Sequence, residues 1–235
     1  MRDNETMRVF SLAALLLAGP AFAACPLPPF TGSGDGTFYF GAGIGNCSIE
    51  FTDADAIAAI NAAQWAGSAH CGECVLVTGP LGTIRVKIVD QCPECPAGDL
   101  DLSPSAFATI ANPIDGRVPI SWHRVECPVV AGVDYRFQGS NDYYVKLQAL
   151  DHRVGVASMA LRENGSAVFT SMPRVDDNHF EKLFPGGLHY PIEVRTTATT
   201  GQAISMSFPA IVNSVIVPSL AQFDGCTVLF DDGFE

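Results

Sequence analysis

Residues 70–104, HCGECVLVTGPLGTIRVKIVDQCPECPAGDLDLSP, gather the side chains of this chain best suited to chemistry. Two Cys-x-x-Cys pairs, Cys71/Cys74 and Cys92/Cys95, have the spacing of a zinc ribbon, in which four thiolates close a tetrahedral site. Three aspartates, Asp90, Asp99 and Asp101, crowd the second pair. Neighbouring carboxylates push one another's protonation apart, and work on a glycosidic bond needs one neutral and one ionised acid. The stretch reads as a metal site or as an oxidised frame around an acidic site.

The N-terminus bears on that choice. In MRVFSLAALLLAGPAFA, Arg8 precedes an apolar run that ends at Ala21-x-Ala23, so a secretory signal peptide is expected over residues 1–23. The run is shorter than the roughly twenty apolar residues of a membrane span. All eight cysteines follow it. Export to an oxidising compartment favours disulfides over thiolate ligation, and neither a metal nor a cofactor is expected. Charged residues are only 16% of the chain, yet the formal net charge is −12. An acidic surface is repelled by phosphate backbones and anionic lipid, which argues against nucleic acid or a membrane as partner. Anionic pectin is disfavoured on the same ground.

The 22 glycines, 16 prolines and short β-rich runs point to an all-β class. GTFYF opens as an aromatic strand, and Thr52 with Asp55 predicts a helix start ahead of AIAAINAAQW. VLVT, a GPLG turn and TIRVKIVD predict a hairpin, in which Ile84, Val86 and Ile88 alternate with Arg85 and Lys87 as on a half-buried strand. Asp90 falls at that strand's exit. Ser103 followed by Pro104 predicts a capped short helix, with Asp101 in the loop that feeds it and Asp99 as a further helix-capping acid. VPISWHRVEC is a further strand, and Trp65 and Trp122 are expected in the core. His70 could join a metal set beside Cys71 but under oxidation is a loop residue. His123 on its strand is a surface or core histidine rather than a ligand, and His152 and His179 show no metal spacing. From Tyr135 onward strands recur without helices, which predicts a β-sandwich of roughly 90 residues. FDDGFE ends the chain as a solvated acidic tail within residues 221–235.

In order, TFYFGAGIGNCS, CGECVLVTGP, VKIVDQCPEC, GDLDLSPSAF and SWHRVEC resemble the double-psi β-barrel domain of expansins. DYYVKLQALDHRVGVASMAL, DDNHF and PIEVRTT are similar to the expansin carbohydrate-binding sandwich. The resemblance implies a mainly β protein: a six-stranded double-psi barrel over residues 25–129, then an immunoglobulin-like sandwich over 133–220. It implies a secreted, monomeric, extracellular protein that binds plant cell-wall polysaccharide (cellulose, xyloglucan or xylan) and loosens it without hydrolysis.

The resemblance places the essential acid at Asp101, a second acid at Asp90 and a supporting hydroxyl at Thr37, in a groove shared by both domains. Cys92 stands where many bacterial members carry a tyrosine. Tyr143 and Tyr144 match a pair of adjacent aromatics that stack on sugar rings, whereas Asp177 stands where a third aromatic is expected. Phe180 is expected in the core. The family further suggests Cys47–Cys71 and Cys74–Cys127, leaving Cys92–Cys95 and Cys25–Cys226. The alternative is a glycan-cleaving enzyme on the same barrel, an endoglucanase or a lytic transglycosylase of peptidoglycan. The barrel endoglucanases take their base from a stretch matching TFYFGAG, which here holds no carboxylate.

Overall fold

The structure, a computed structural model, describes residues 27–225. The expected leader, the Cys25–Cys226 bridge and residues 226–235 lie outside the described residues. The solvated tail expected from residue 221 does not begin there, because Phe223 is buried in the core of the second half. The first half contains β1 (Thr31–Phe38), β2 (Gly43–Ile44), β3 (Glu50–Phe51), β4 (Ile57–Asn61), α1 (Ala62–Trp65), β5 (Cys74–Gly79), β6 (Gly82–Cys92), β7 (Leu100–Leu102), α2 (Pro104–Ile110) and β8 (Val118–Val125). Six of these strands close a barrel in the order β1-β7-β4-β6-β5-β8.

The second half contains β9 (Asp134–Phe137), β10 (Tyr144–Leu150), β11 (Val156–Arg162), β12 (Thr170–Met172), β13 (Arg174–Val175), β14 (His179–Leu183), β15 (Ile192–Ala198), β16 (Ala203–Phe208) and β17 (Ile216–Pro218). They form two sheets, β13-β14-β10-β9-β17 and β12-β11-β15-β16. Tyr135, Phe137, Leu147, Met159 and Val194 fill the core of this half.

The β5–β6 hairpin forms as its alternation predicts. Val86 and Ile88 are buried, Arg85 is exposed, and half-buried Lys87 reaches Asp151 of the second half at 3.0 Å. Ser103 caps α2 by accepting from the Ala106 amide, with Pro104 in the first turn. The predicted helix from Thr52 does not form there. Thr52 donates its amide and hydroxyl to Asp55 Oδ2 at 2.7 and 2.8 Å, but these bonds close only a turn. Ile57–Asn61 then becomes a strand buried along its whole length, paired with both β6 and β7. A run that is apolar on every side has no polar face for a surface helix, and suits a strand covered on both faces. The helix shrinks to one turn, α1, capped by the Asn61 side chain.

Two readings around Asp101 are also corrected. Asp101 lies within β7, not in a loop. Asp99 does not cap α2: its Oδ1 accepts from the Asp35 amide at 2.8 Å, and Arg117 stands 3.6 Å away, tying this segment to β1.

Cysteines pair as Cys47–Cys71, Cys74–Cys127 and Cys92–Cys95. Every thiol of the ribbon-like pattern is thus consumed, which rules out the zinc reading. Cys74–Cys127 joins β5 to the exit of the barrel across 53 residues. Closing so long a loop restricts the unfolded chain, so the Cys74→Ser/Cys127→Ser protein is expected to lose about 3–4 kcal/mol of stability. Chemical denaturation of oxidised wild type and double variant checks this. Equal midpoints would contradict it.

Candidate functional site

Register brings the acids together. Thr37 of β1 pairs with Asp101 of β7, Asp101 pairs with Ala59 of β4, and Ala59 pairs with Asp90 of β6. Side chains in register across neighbouring strands share a face, so these four residues form one row. Strands stand about 4.8 Å apart, which puts the two aspartate backbones about 10 Å from each other. Between them Ala59 offers only a methyl, leaving the middle of the row low.

Each acid is held differently. The Thr37 hydroxyl donates to Asp101 Oδ1 at 2.6 Å. That bond favours the ionised form, but burial opposes it more strongly, and the Asp101 carboxyl rests above its ordinary value. Asp90 Oδ1 accepts two backbone amides, from Asn46 at 2.7 Å and Gln91 at 2.8 Å. Gly45 makes this approach possible, since a Cβ there would lie 2.4 Å from Val89 O.

Removing the Thr37 donor exposes the balance at Asp101. Thr37→Val is expected to raise the Asp101 titration midpoint further, because the lost bond stabilised the carboxylate. A pH series of the Asp101 carboxyl carbon resonance reads this directly, and a lowered midpoint would overturn it.

Tyr39 is a site residue that sequence reasoning missed. Its hydroxyl is buried beside Asp90. Burial first, then the charges of Asp90 and Asp101, push it well above its ordinary value, so it stays protonated. The signal was present: Tyr39 follows Thr37 by two positions, the spacing at which strand residues share a face.

In the second half, Asn141 Oδ1 accepts from the amides of both Tyr143 and Tyr144, at 2.8 and 3.1 Å. Tyr143 therefore sits in a turn just before β10, where strict strand alternation does not apply, and it is 61% exposed. Tyr144 begins β10, half-buried, and its hydroxyl donates to Glu181. Burial and that carboxylate push the phenol up to about 12. Asp177 does not leave a bare gap. It pairs with Lys146 at 2.5 Å, and although burial opposes its ionisation, Lys146 and His179 hold it below the ordinary aspartate value.

A cavity of about 530 Å³ joins the halves, lined by Asn46, Trp65 and Gln91 on the barrel side and by Lys146, Asp177 and Glu181 on the sandwich side. Asn46 and Gln91 are the residues whose amides hold Asp90, and Glu181 is the partner of Tyr144. The cavity therefore lies between the neighbours of Asp90 and the partner of Tyr144. Trp65 and Trp122 are both buried as expected, Trp65 also reaching the cavity wall, and Phe180 is core.

The family model described as lytic transglycolase matches residues 57–122, and the model for the expansin-like protein middle domain matches residues 129–224. The chain is 33% identical over 164 residues to Expansin-YoaJ of Bacillus subtilis, covering 66% of this chain and 68% of that protein. This chain belongs to the expansin family. Expansin-like protein 2 of Dictyostelium discoideum is 29% identical over 211 residues; this expansin spans 51% of that longer protein. A crystal structure of a mutant Clavibacter michiganensis expansin in complex with cellohexaose superposes with a TM-score of 0.73 at 27% identity, covering 82% of this chain and 98% of that one. This expansin shares with it the order of barrel and sandwich. Among the described residues no helix is long and apolar enough to cross a membrane.

Proposed function

We propose that this expansin is secreted, binds plant cell-wall glucans, namely cellulose and its associated hemicelluloses, and loosens their non-covalent contacts without hydrolysis. The observation that carries the reading is the row Thr37–Asp101–Ala59–Asp90, in which burial favours a neutral Asp101 while two backbone amides engage Asp90. A neutral carboxyl donates a hydrogen bond to a glycan oxygen and competes with the glucan–glucan bond that oxygen was making. Hydrolysis needs a second carboxylate free to attack or to activate water. Asp90, tethered by Asn46 and Gln91, serves the row as a supporting group.

The tyrosines complete the reading. A glucan chain laid on Tyr143 and Tyr144 crosses the cavity lined by Lys146 and Gln91 and reaches Asp101. The cellohexaose bound by the Clavibacter expansin supports a β-linked glucan as the ligand class. The three disulfides support an oxidising, extracellular destination. We take residues 25–129 and 133–220 as the two domains of a monomer.

The second reading, a peptidoglycan lytic transglycosylase, is favoured by one observation: the model matching β4 to β8 carries that description. A lone neutral Asp101 could serve as general acid in an intramolecular cleavage. One experiment separates the two readings. Purified protein is incubated with cellulose paper under load, with amorphous glucan, and with bacterial sacculi. Paper weakening without reducing sugar supports loosening. Anhydro-muropeptides from sacculi or soluble sugars from glucan would replace it with an enzyme.

A further inference from the structure

The strand that carries Tyr144 also grips the barrel loop beside Asp90. Tyr144, Lys146 and Gln148 alternate along β10 and project from one face. Gln148 is fully buried, and its Nε2 donates to Cys47 O at 2.8 Å. Its Oε1 accepts from Arg136 at 2.6 Å, and the same guanidinium nitrogen donates to Ser48 O. Arg136 and Gln148 face each other in register between β9 and β10. Asn178 Nδ2 adds a second donor to Cys47 O at 3.2 Å.

The gripped loop is the one that holds Asp90. The Cys47 amide donates to Val89 O at 3.1 Å, and the neighbouring Asn46 amide donates to Asp90 Oδ1 at 2.7 Å. Ser48 lies in the left-handed region at φ 53°, a conformation that L-residues leave unless their surroundings hold them. The Cys47–Cys71 disulfide restrains the loop through a side chain. Among the described residues, only sandwich side chains engage its outward carbonyls at 47 and 48, and Gln148 and Arg136 do so from the sheet that presents Tyr144.

We propose that Gln148, together with Arg136, is a positioning residue for Asp90. It acts through the Cys47 and Ser48 carbonyls to keep the Asn46 amide on Asp90 Oδ1. The sandwich then has a second task besides holding glycan: it sets the geometry of the barrel's acid row. The orientation of Gln148 is fixed, because Arg136 occupies its oxygen and leaves the amide nitrogen to face Cys47.

The functional half of this proposal rests on the wall-loosening reading, and the structural half does not. The test uses the full chain, labelled with ¹⁵N, as wild type, Gln148→Glu and Asn178→Gly. Gln148→Glu keeps the size of the side chain and its Arg136 partner but removes the donor to Cys47 O. Asn178→Gly removes the second donor while tolerating the left-handed backbone at φ 64°. In Gln148→Glu the Asn46 amide proton resonance is expected to move upfield, the sign of a weakened hydrogen bond. Paper weakening is expected to fall about three- to tenfold, the weight of one such bond, while pelleting with cellulose stays within about twofold of wild type. Asn178→Gly is expected to move the same resonance in the same direction by less.

An unmoved Asn46 amide in a folded Gln148→Glu protein overturns the proposal. If Gln148→Glu does not fold, the Asn178→Gly resonance decides by the same rule. Should wild type fail to weaken paper, the wall-loosening reading falls, and the amide shift still decides whether Gln148 positions Asp90.

Discussion

Asp101→Asn is expected to reduce paper weakening by at least about tenfold while leaving the amount of protein pelleted with cellulose unchanged. The carboxyl's neutral form donates a short O–H···O bond, and its ionised form accepts. A residue that works on passing glucan hydroxyls needs both roles. Asparagine keeps an oxygen for the Thr37 hydroxyl, but its amide is a weaker donor and cannot change state. Hydrogen bonds with an ionisable partner are worth roughly 1.5–3 kcal/mol, and about 1.4 kcal/mol is a factor of ten in rate.

The same substitution separates a lost function from a lost fold. Burial raises the Asp101 titration midpoint, so its contribution to stability is fully present at low pH and is lost as pH rises through that midpoint. Above it the folded protein holds a carboxylate that burial disfavours. Asp101→Asn removes that charge, and its melting temperature at neutral pH is expected to match or exceed that of wild type. Wild-type loosening is expected to decline as pH rises through the raised midpoint. Full paper weakening by Asp101→Asn at acidic pH would show that the proton of Asp101 has no part in the process.

Tyr143→Ala is expected to weaken binding to crystalline cellulose by about 5- to 30-fold in pelleting isotherms, the equivalent of roughly 1–2 kcal/mol for an aromatic face lost from a sugar ring. Tyr143 is 61% exposed and stands in a turn held by Asn141, so its loss leaves the core untouched. Tyr144→Phe makes the contrast. It keeps the ring and gives up only the hydroxyl bond to Glu181, so its affinity is expected to stay within about threefold of wild type. A larger loss in Tyr144→Phe than in Tyr143→Ala would assign binding to the polar floor of the depression and remove the stacking role from Tyr143.

The elements legible in the sequence were those whose signal is local. The β5–β6 hairpin announces itself by two-residue alternation, and α2 by Ser103 and Pro104 at its start. The Thr52–Asp55 signal was equally local and misled, because tertiary pairing with β6 and β7 outweighed a favourable first turn. β13, β14 and β17 carry too few residues to show a period. Family resemblance named Asp90, Asp101 and Thr37, yet the reason they act together is a register across β1, β7, β4 and β6, which no stretch of sequence displays. Asn46 escaped notice for the same reason: it contributes a backbone amide, and only the folded loop brings it to Asp90. The interdomain grip of Gln148 is invisible in sequence, where it is one more polar residue in an apolar strand.

The barrel's strand order also governs when it can form during synthesis. β1 is hydrogen-bonded along its length to β8, with Thr31 opposite His123, and at its end to β7. The first strand made must therefore wait for the last, and closure pays loop entropy over most of the barrel before any of those bonds repay it. Such topologies fold on the millisecond-to-second scale, with an open β1 edge exposed meanwhile. The acid row is complete only once β1 has delivered Thr37 to Asp101 of β7.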